Sequence, residues 1–217
     1  MKVIIFTTAY DEATEEISKW ATTGANIFLM HGFEVTYIAN YTKRDVAEYL
    51  AKNNYDLVVF GCHGWYNALY GSMGEEAVVA CWNDILLAGK EVFTLACKSA
   101  AVLGNSAMIK GAKGYVGWKE DFIFCLGKYA EPFRLAITKF FDAYAKTKDF
   151  LNATLALKNE LKKQFEIWKH KDSTVASCLL HDLNNLVVFA YARRKELVWV
   201  GLGLAGLGAY LVLKKKK

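Results

Sequence analysis

Two stretches of this sequence each end an apolar run on a reactive side chain. One reads Asp56-Leu-Val-Val-Phe-Gly-Cys-His63-Gly64, the other Glu91-Val-Phe-Thr-Leu-Ala96-Cys97-Lys98-Ser99-Ala100. A thiol of ordinary acidity is only a few per cent thiolate at neutral pH, and a neighbouring imidazole makes it a competent nucleophile. The pairing therefore suits acyl transfer, with Cys97 as nucleophile and His63 as base. Gly64 lets the chain turn tightly, and its N–H with that of Cys97 is the expected oxyanion hole. Such donors are worth roughly 3–4 kcal/mol each to this chemistry. Trp65 and Tyr66, which follow His63, and Glu120 and Asp121 further on are candidates for a substrate pocket. The two acids would suit a basic side chain.

Both runs must end neighbouring strands for this chemistry to assemble. The β-branched run 3–7 has the character of a buried parallel strand. Strands are also expected at 33–39, 57–61, 91–96 and 114–118. Helices are expected over 11–30, with acids in its first turn, and 42–52, with Thr42 as cap. A polar, glycine-containing loop (65–74) and a helix (about 75–88) are expected between the third and fourth strands. Residues 132–146 and 151–169 have apolar side chains every three or four positions, as amphipathic helices do. Residues 186–191 read as a sixth strand or part of a helix. This βαβ rhythm implies an α/β fold: a three-layer, flavodoxin-like, mostly parallel sheet with helices on both faces. Ligands and catalytic groups of such sheets gather at the carboxyl ends of the strands, where His63 and Cys97 lie.

Strand-His63-Gly64 followed by strand-Ala96-Cys97 resembles the caspase-like cysteine peptidase superfamily (clan CD). LACKSAAVLG looks like the CHAT form of that superfamily, and GAKGYVGW fits its turn into the next strand. The resemblance spans roughly residues 1–192, with motif strength around 56–64, 92–104 and 111–118. It implies a Cys/His dyad, a backbone oxyanion hole and no cofactor, and hence a thiol protease acting on protein or peptide substrates. Two features depart from the family: the His-to-Cys interval of 34 residues is short, and Lys98 stands where many CHAT domains place an acid.

Other readings are weaker. A catalytically inactive member of the same fold would serve as a membrane-anchored protein-interaction module. A flavodoxin-like small-molecule binder would need a phosphate-cradling loop after the first strand, and Thr7-Thr-Ala-Tyr-Asp11 has no glycine. Cys62, Cys81 and Cys97 with His63 match no zinc spacing, so no metal is expected. His31, His170 and His181 read as structural or solvated. The five cysteines form no CxxC pair and sit mostly in apolar runs, as reduced thiols of a reducing compartment do.

The net charge of +5 is concentrated at one end: residues 193–217 hold seven basic residues and one acid, whereas the other 192 hold 20 basic and 21 acidic. A nucleic-acid binder carries its positive charge on the folded domain, so no nucleic-acid partner is expected. The run 197–213 has no charge and is closed by Lys214 to Lys217. As a helix it would span about 25 Å, close to a hydrocarbon core with lysines snorkelling at its end. Residues 193–217 are thus expected to form a C-terminal single-pass membrane anchor behind a domain of residues 1–192. Gly201, Ala205 and Ala209 would offer a small-residue stripe for self-association. With no signal peptide read at the N-terminus, the catalytic domain is expected to face the cytoplasm.

Overall fold

A computed structural model of the chain describes residues 1–191 and 197–201. Strand β1 (Lys2–Thr7) leads to helix α1 (Glu12–Met30), followed by β2 (Glu34–Ala39), α2 (Lys43–Lys52) and β3 (Leu57–Gly61). Three short strands come next, β4 (Gly64–Trp65), β5 (Ala68–Tyr70) and β6 (Glu76–Val79), then a 3-10 turn at Asp84–Leu87. The chain returns through β7 (Glu91–Leu95), α3 (Leu103–Ile109) and β8 (Gly114–Trp118). It ends in α4 (Glu131–Thr147), α5 (Phe150–Trp168), α6 (Ser173–Asn185), β9 (Leu186–Tyr191) and β10 (Leu197–Gly201).

The main sheet runs β10-β9-β8-β7-β3-β1-β2, and β4-β5-β6 form a second, small sheet. Strands β2, β1, β3, β7 and β8 are mutually parallel, whereas β9 pairs antiparallel with both β8 and β10. The expected α/β class, with a mostly parallel sheet and helices on both faces, is what the chain adopts.

Because strand side chains alternate between faces, every central strand feeds two cores. Val3, Ile5, Leu57, Val59, Phe93, Leu95, Val116 and Trp118 pack on the face covered by α1, α4, α5 and α6. Ile4, Phe6, Val58, Phe60, Val92 and Tyr115 pack on the other, with α2, α3 and the small sheet. Double-sided burial explains why these strands read as continuous apolar runs rather than alternating ones.

The segment after β3 corrects the expected loop and helix. Ala77 and Val78 are fully buried together with Ala68 and Leu69, so this stretch pairs as strands β5 and β6. Of the expected helix, only Asp84–Leu87 keeps a helical turn. Residues 186–191 form a strand, resolving the two readings left open for them. Among the described residues no helix is long and apolar enough to cross a membrane. The first five residues of the uncharged run within the expected anchor, Leu197–Gly201, pair along β9 as an edge strand. The remainder of that anchor, including Ala205 and Ala209, lies outside the described residues.

Candidate active site

Strands β3 and β7 are hydrogen-bonded neighbours with Gly61 opposite Leu95, and the Cys62 amide still donates to the Leu95 carbonyl at 3.2 Å. Counting two residues on from that register brings His63 and Cys97 to the same rim. Alternation also puts them on one face: Leu57, Val59 and Gly61 lead to His63 as Phe93 and Leu95 lead to Cys97. This is the face that α1 covers, and Cys97 packs against its core.

The backbones of the two corners touch. A Cβ on Gly64 would lie 2.4 Å from the Cys97 carbonyl oxygen and 2.9 Å from the Ala96 Cβ. Glycine is needed here for that close approach, since Gly64 is not among the positive-φ residues. The Cys97 amide makes no backbone hydrogen bond among the described residues, which leaves it free to meet a developing oxyanion.

The corner after Cys97 is fixed by buried hydroxyls. Ser99 Oγ lies 2.7 Å from Thr94 Oγ1 and donates to the Ala96 carbonyl at 3.0 Å, while the Tyr115 hydroxyl donates to the Ser99 carbonyl at 3.0 Å. Gly117 makes room for this knot, since a Cβ there would fall 2.4 Å from Thr94 Oγ1 and 2.5 Å from Ser99 Oγ. Lys98 adopts a left-handed backbone (φ 53°), a conformation that costs a non-glycine residue about 1–2 kcal/mol. The surrounding bonds hold it there, including its own amide to the Glu120 carbonyl at 2.9 Å.

His63 has a partner that the sequence reading did not single out. Its Nε2 lies 2.6 Å from Asp11 Oδ2, with the two side chains 43% and 40% exposed. Asp11 is also the N-cap of α1: its Oδ1 accepts the Thr14 amide at 2.8 Å, and the Thr14 hydroxyl closes the capping box. Burial alone would raise the Asp11 carboxyl, but hydrogen bonds from His63 and Thr14 outweigh it and hold the group down to about 2. An ionised carboxylate only accepts, so Nε2 carries the proton and Nδ1 is left as the basic nitrogen of neutral His63. Tyr10 lies against the imidazole, ring centroids 5.6 Å apart. Asp11 closes the loop after β1, and the pairing of β1 beside β3 is what carries it to this rim.

Cys97 does not share that partner. Its Sγ donates to the Phe122 carbonyl at 3.7 Å, and among the described residues no hydrogen bond joins it to His63. Burial pushes the thiol up, and the carboxyls of Asp121 and Asp182 add to this, while the Phe122 backbone and the Lys98 charge oppose it. In this state Cys97 is a protonated, capped thiol.

The remaining pocket candidates cluster around Lys98. Its ammonium lies 3.3 Å from Asp121 Oδ1, 4.2 Å from the Trp65 ring centroid and 5.1 Å from that of Tyr66. Trp65 and Tyr66 are exposed and meet edge to face at 4.8 Å. Asp121 therefore already holds an internal cation, and Glu120 contributes its carbonyl to Lys98 while its residue is exposed.

Cys62, beside His63, is buried, and burial pushes its thiol up to about 12. Cys81 bonds Ser106 instead. Among the described residues no group of three or more His, Cys, Asp or Glu is arranged to hold a metal ion. His31 caps α1, its Nδ1 3.0 Å from the Ile27 carbonyl, and His181 donates to the Asp121 carbonyl at 2.9 Å. No protein-family model and no curated protein matches the chain.

Proposed function

We propose that the chain is a cysteine endopeptidase of the caspase-like type, with Cys97 as nucleophile, His63 as general base and Asp11 holding His63. One observation carries this reading: His63 and Cys97 end adjacent parallel strands on the same face and rim, their corners in backbone contact through Gly64. In the reaction His63 Nδ1 takes the thiol proton and Cys97 Sγ attacks the peptide carbonyl. The Gly64 and Cys97 amides receive the oxyanion, and His63 returns the proton to the departing amine. Water then hydrolyses the thioester, with His63 again as base. Asp11 keeps the imidazole in the required tautomer and steadies the imidazolium, as the acid of a catalytic triad does. Trp65, Tyr66, Glu120 and Asp121 border the substrate side. Residues 193–217 tether the domain to a membrane with the catalytic rim facing the cytoplasm, so that its substrates are proteins close to that surface.

The Phe122 cap on the thiol defines a resting state, and productive binding has to turn Sγ from that carbonyl toward His63. A second reading takes the same cap as permanent and makes the chain an inactive interaction module. An electrophilic peptide probe and a small alkylating reagent together distinguish the two. For the enzyme, the peptide probe labels Cys97, loses all labelling in Cys97→Ala and falls about 10²–10⁴-fold in His63→Ala. Small-reagent alkylation in His63→Ala should stay near the parent rate. Equal peptide-probe labelling of the parent and His63→Ala would overturn the catalytic assignment.

A further inference from the structure

The segment between β8 and α4 is strapped on both sides. Toward α6, the Lys119 amide donates to the Asn185 carbonyl at 3.0 Å, His181 holds the Asp121 carbonyl, and the Ile123 amide donates to Asp182 Oδ1 at 2.9 Å. Toward the β7 corner, the Glu120 carbonyl takes the Lys98 amide, Asp121 pairs with the Lys98 ammonium, and the Phe122 carbonyl caps the Cys97 thiol. Whatever fastens this strap to α6 also fixes the cap on Cys97.

Cys125 lies two residues beyond Ile123 on the strap, and Cys178 lies four residues before Asp182 on α6. Four residues are about one helical turn, so Cys178 shares the face on which Asp182 grips the strap. The two cysteines pack beside the same core cluster, and both are only partly buried. Burial first, then the neighbouring Cys125 thiol, pushes the Cys178 thiol up to about 11. Neither residue has a role in the proposed acyl transfer.

We infer that Cys125 and Cys178 form a reversible disulfide that locks the strap, and with it the Phe122 cap, over Cys97. The oxidant is a low-molecular-weight disulfide such as oxidised glutathione. The Cys125 thiolate attacks one glutathione sulfur and releases one glutathione. Cys178, having lost its proton, then attacks the Cys125 sulfur of the mixed disulfide and releases the second. Two protein thiols are oxidised, one disulfide is reduced to two thiols, and the electrons and protons balance. Burial keeps the Cys178 thiol protonated, so it takes the second, intramolecular step, where proximity compensates for its low thiolate fraction. In a reducing compartment such a bond would be transient and regulatory.

The inference holds whether or not Cys97 proves catalytic, because the readouts are covalent. The full chain is equilibrated in glutathione buffers of graded composition, quenched with acid, alkylated and mapped by mass spectrometry. A peptide linking Cys125 to Cys178 is expected as the dominant disulfide, with Cys97 alkylation slowed about tenfold as the open strap becomes rarer. In Cys178→Ser and Cys125→Ser the linked peptide is absent and the slowing disappears, while the rate under reducing conditions matches the parent. Glutathione adducts without the linked peptide would overturn the disulfide. A linked peptide with unslowed Cys97, or slowing that persists in both serine variants, would overturn the lock.

Discussion

Asp11 serves two elements at once, since one carboxylate oxygen caps α1 and the other receives His63. The two duties separate by substitution. Asparagine is as good a cap as aspartate but has no charge to offer an imidazolium, whereas alanine loses the cap, at about 1 kcal/mol. Asp11→Asn should therefore keep most of its thermal stability while peptide-probe labelling of Cys97 drops; Asp11→Ala should lose both. Labelling of Asp11→Asn at the parent rate would remove Asp11 from the mechanism. Acidity gives a second check. The folded carboxyl is held near 2 against an ordinary 3.8, so its contribution to stability is present above 3.8 and fades as the pH falls toward 2. The exposure of the pair keeps that contribution small. Denaturant titrations across this window should show a shallower loss of stability in Asp11→Asn than in the parent.

At the scale of elements, the rim depends on how closely β4 can press on the end of β7. The atoms in the way of a Gly64 Cβ include the Cys97 carbonyl and Ala96 Cβ, which cannot rotate aside. Gly64→Ala should cost about 1–3 kcal/mol by overpacking, lowering the melting temperature by roughly 2–12 °C for a chain of this size. It should also reduce peptide-probe labelling of Cys97 well beyond what the lost stability explains, because the corner itself has to move. Calorimetry and labelling on the same sample test both. Helix α6 presents the opposite electrostatic case. Asp182 is fully buried, and burial pushes its carboxyl well up despite the Ile123 amide that Oδ1 accepts; among the described residues Oδ2 has no hydrogen-bond partner. A raised folded value means stability present below the ordinary 3.8 and lost as the pH climbs toward the folded one. Asp182→Asn keeps an acceptor for Ile123 and cannot ionise, so its stability should decline less than the parent's above pH 4. Parallel declines of the two proteins, measured by denaturant unfolding from pH 4 to 8, would show that Asp182 is not the group responsible.

For the whole molecule, the C-terminal run faces a competition. Leu197–Gly201 pairs with β9, which satisfies backbone groups that a helix would satisfy internally. If those five residues remain in the sheet, the 12 apolar residues from 202 to 213 would span about 18 Å as a helix, against a hydrocarbon core of about 30 Å. A full span would then require β10 to leave the sheet, whereas a shallow anchor would not. Flotation with anionic vesicles should carry the full chain upward, while a chain ending at Gly201 stays at the bottom. Equal behaviour of the two would remove the tether. Protection of the 197–201 amides from hydrogen exchange, with and without vesicles, reports which arrangement the bound form takes.

Much of this was already present in the order of residue types. Apolar runs buried on two faces, capped helices and glycine stops mark the parallel α/β class, and two of those runs end in His63 and Cys97. Those features are local, and local geometry is what spacing along a chain encodes. The small sheet β4-β5-β6 was less legible because its strands are two to four residues long and draw their burial from elements distant in sequence. Tertiary structure alone supplied the partners. It brought Asp11, 52 residues away, to His63, turned Cys97 toward Phe122 instead, and set Lys98 between Asp121 and the two aromatics. A side chain's partner is chosen by strand order and loop path, which place residues from separate segments at one rim and which no single segment contains.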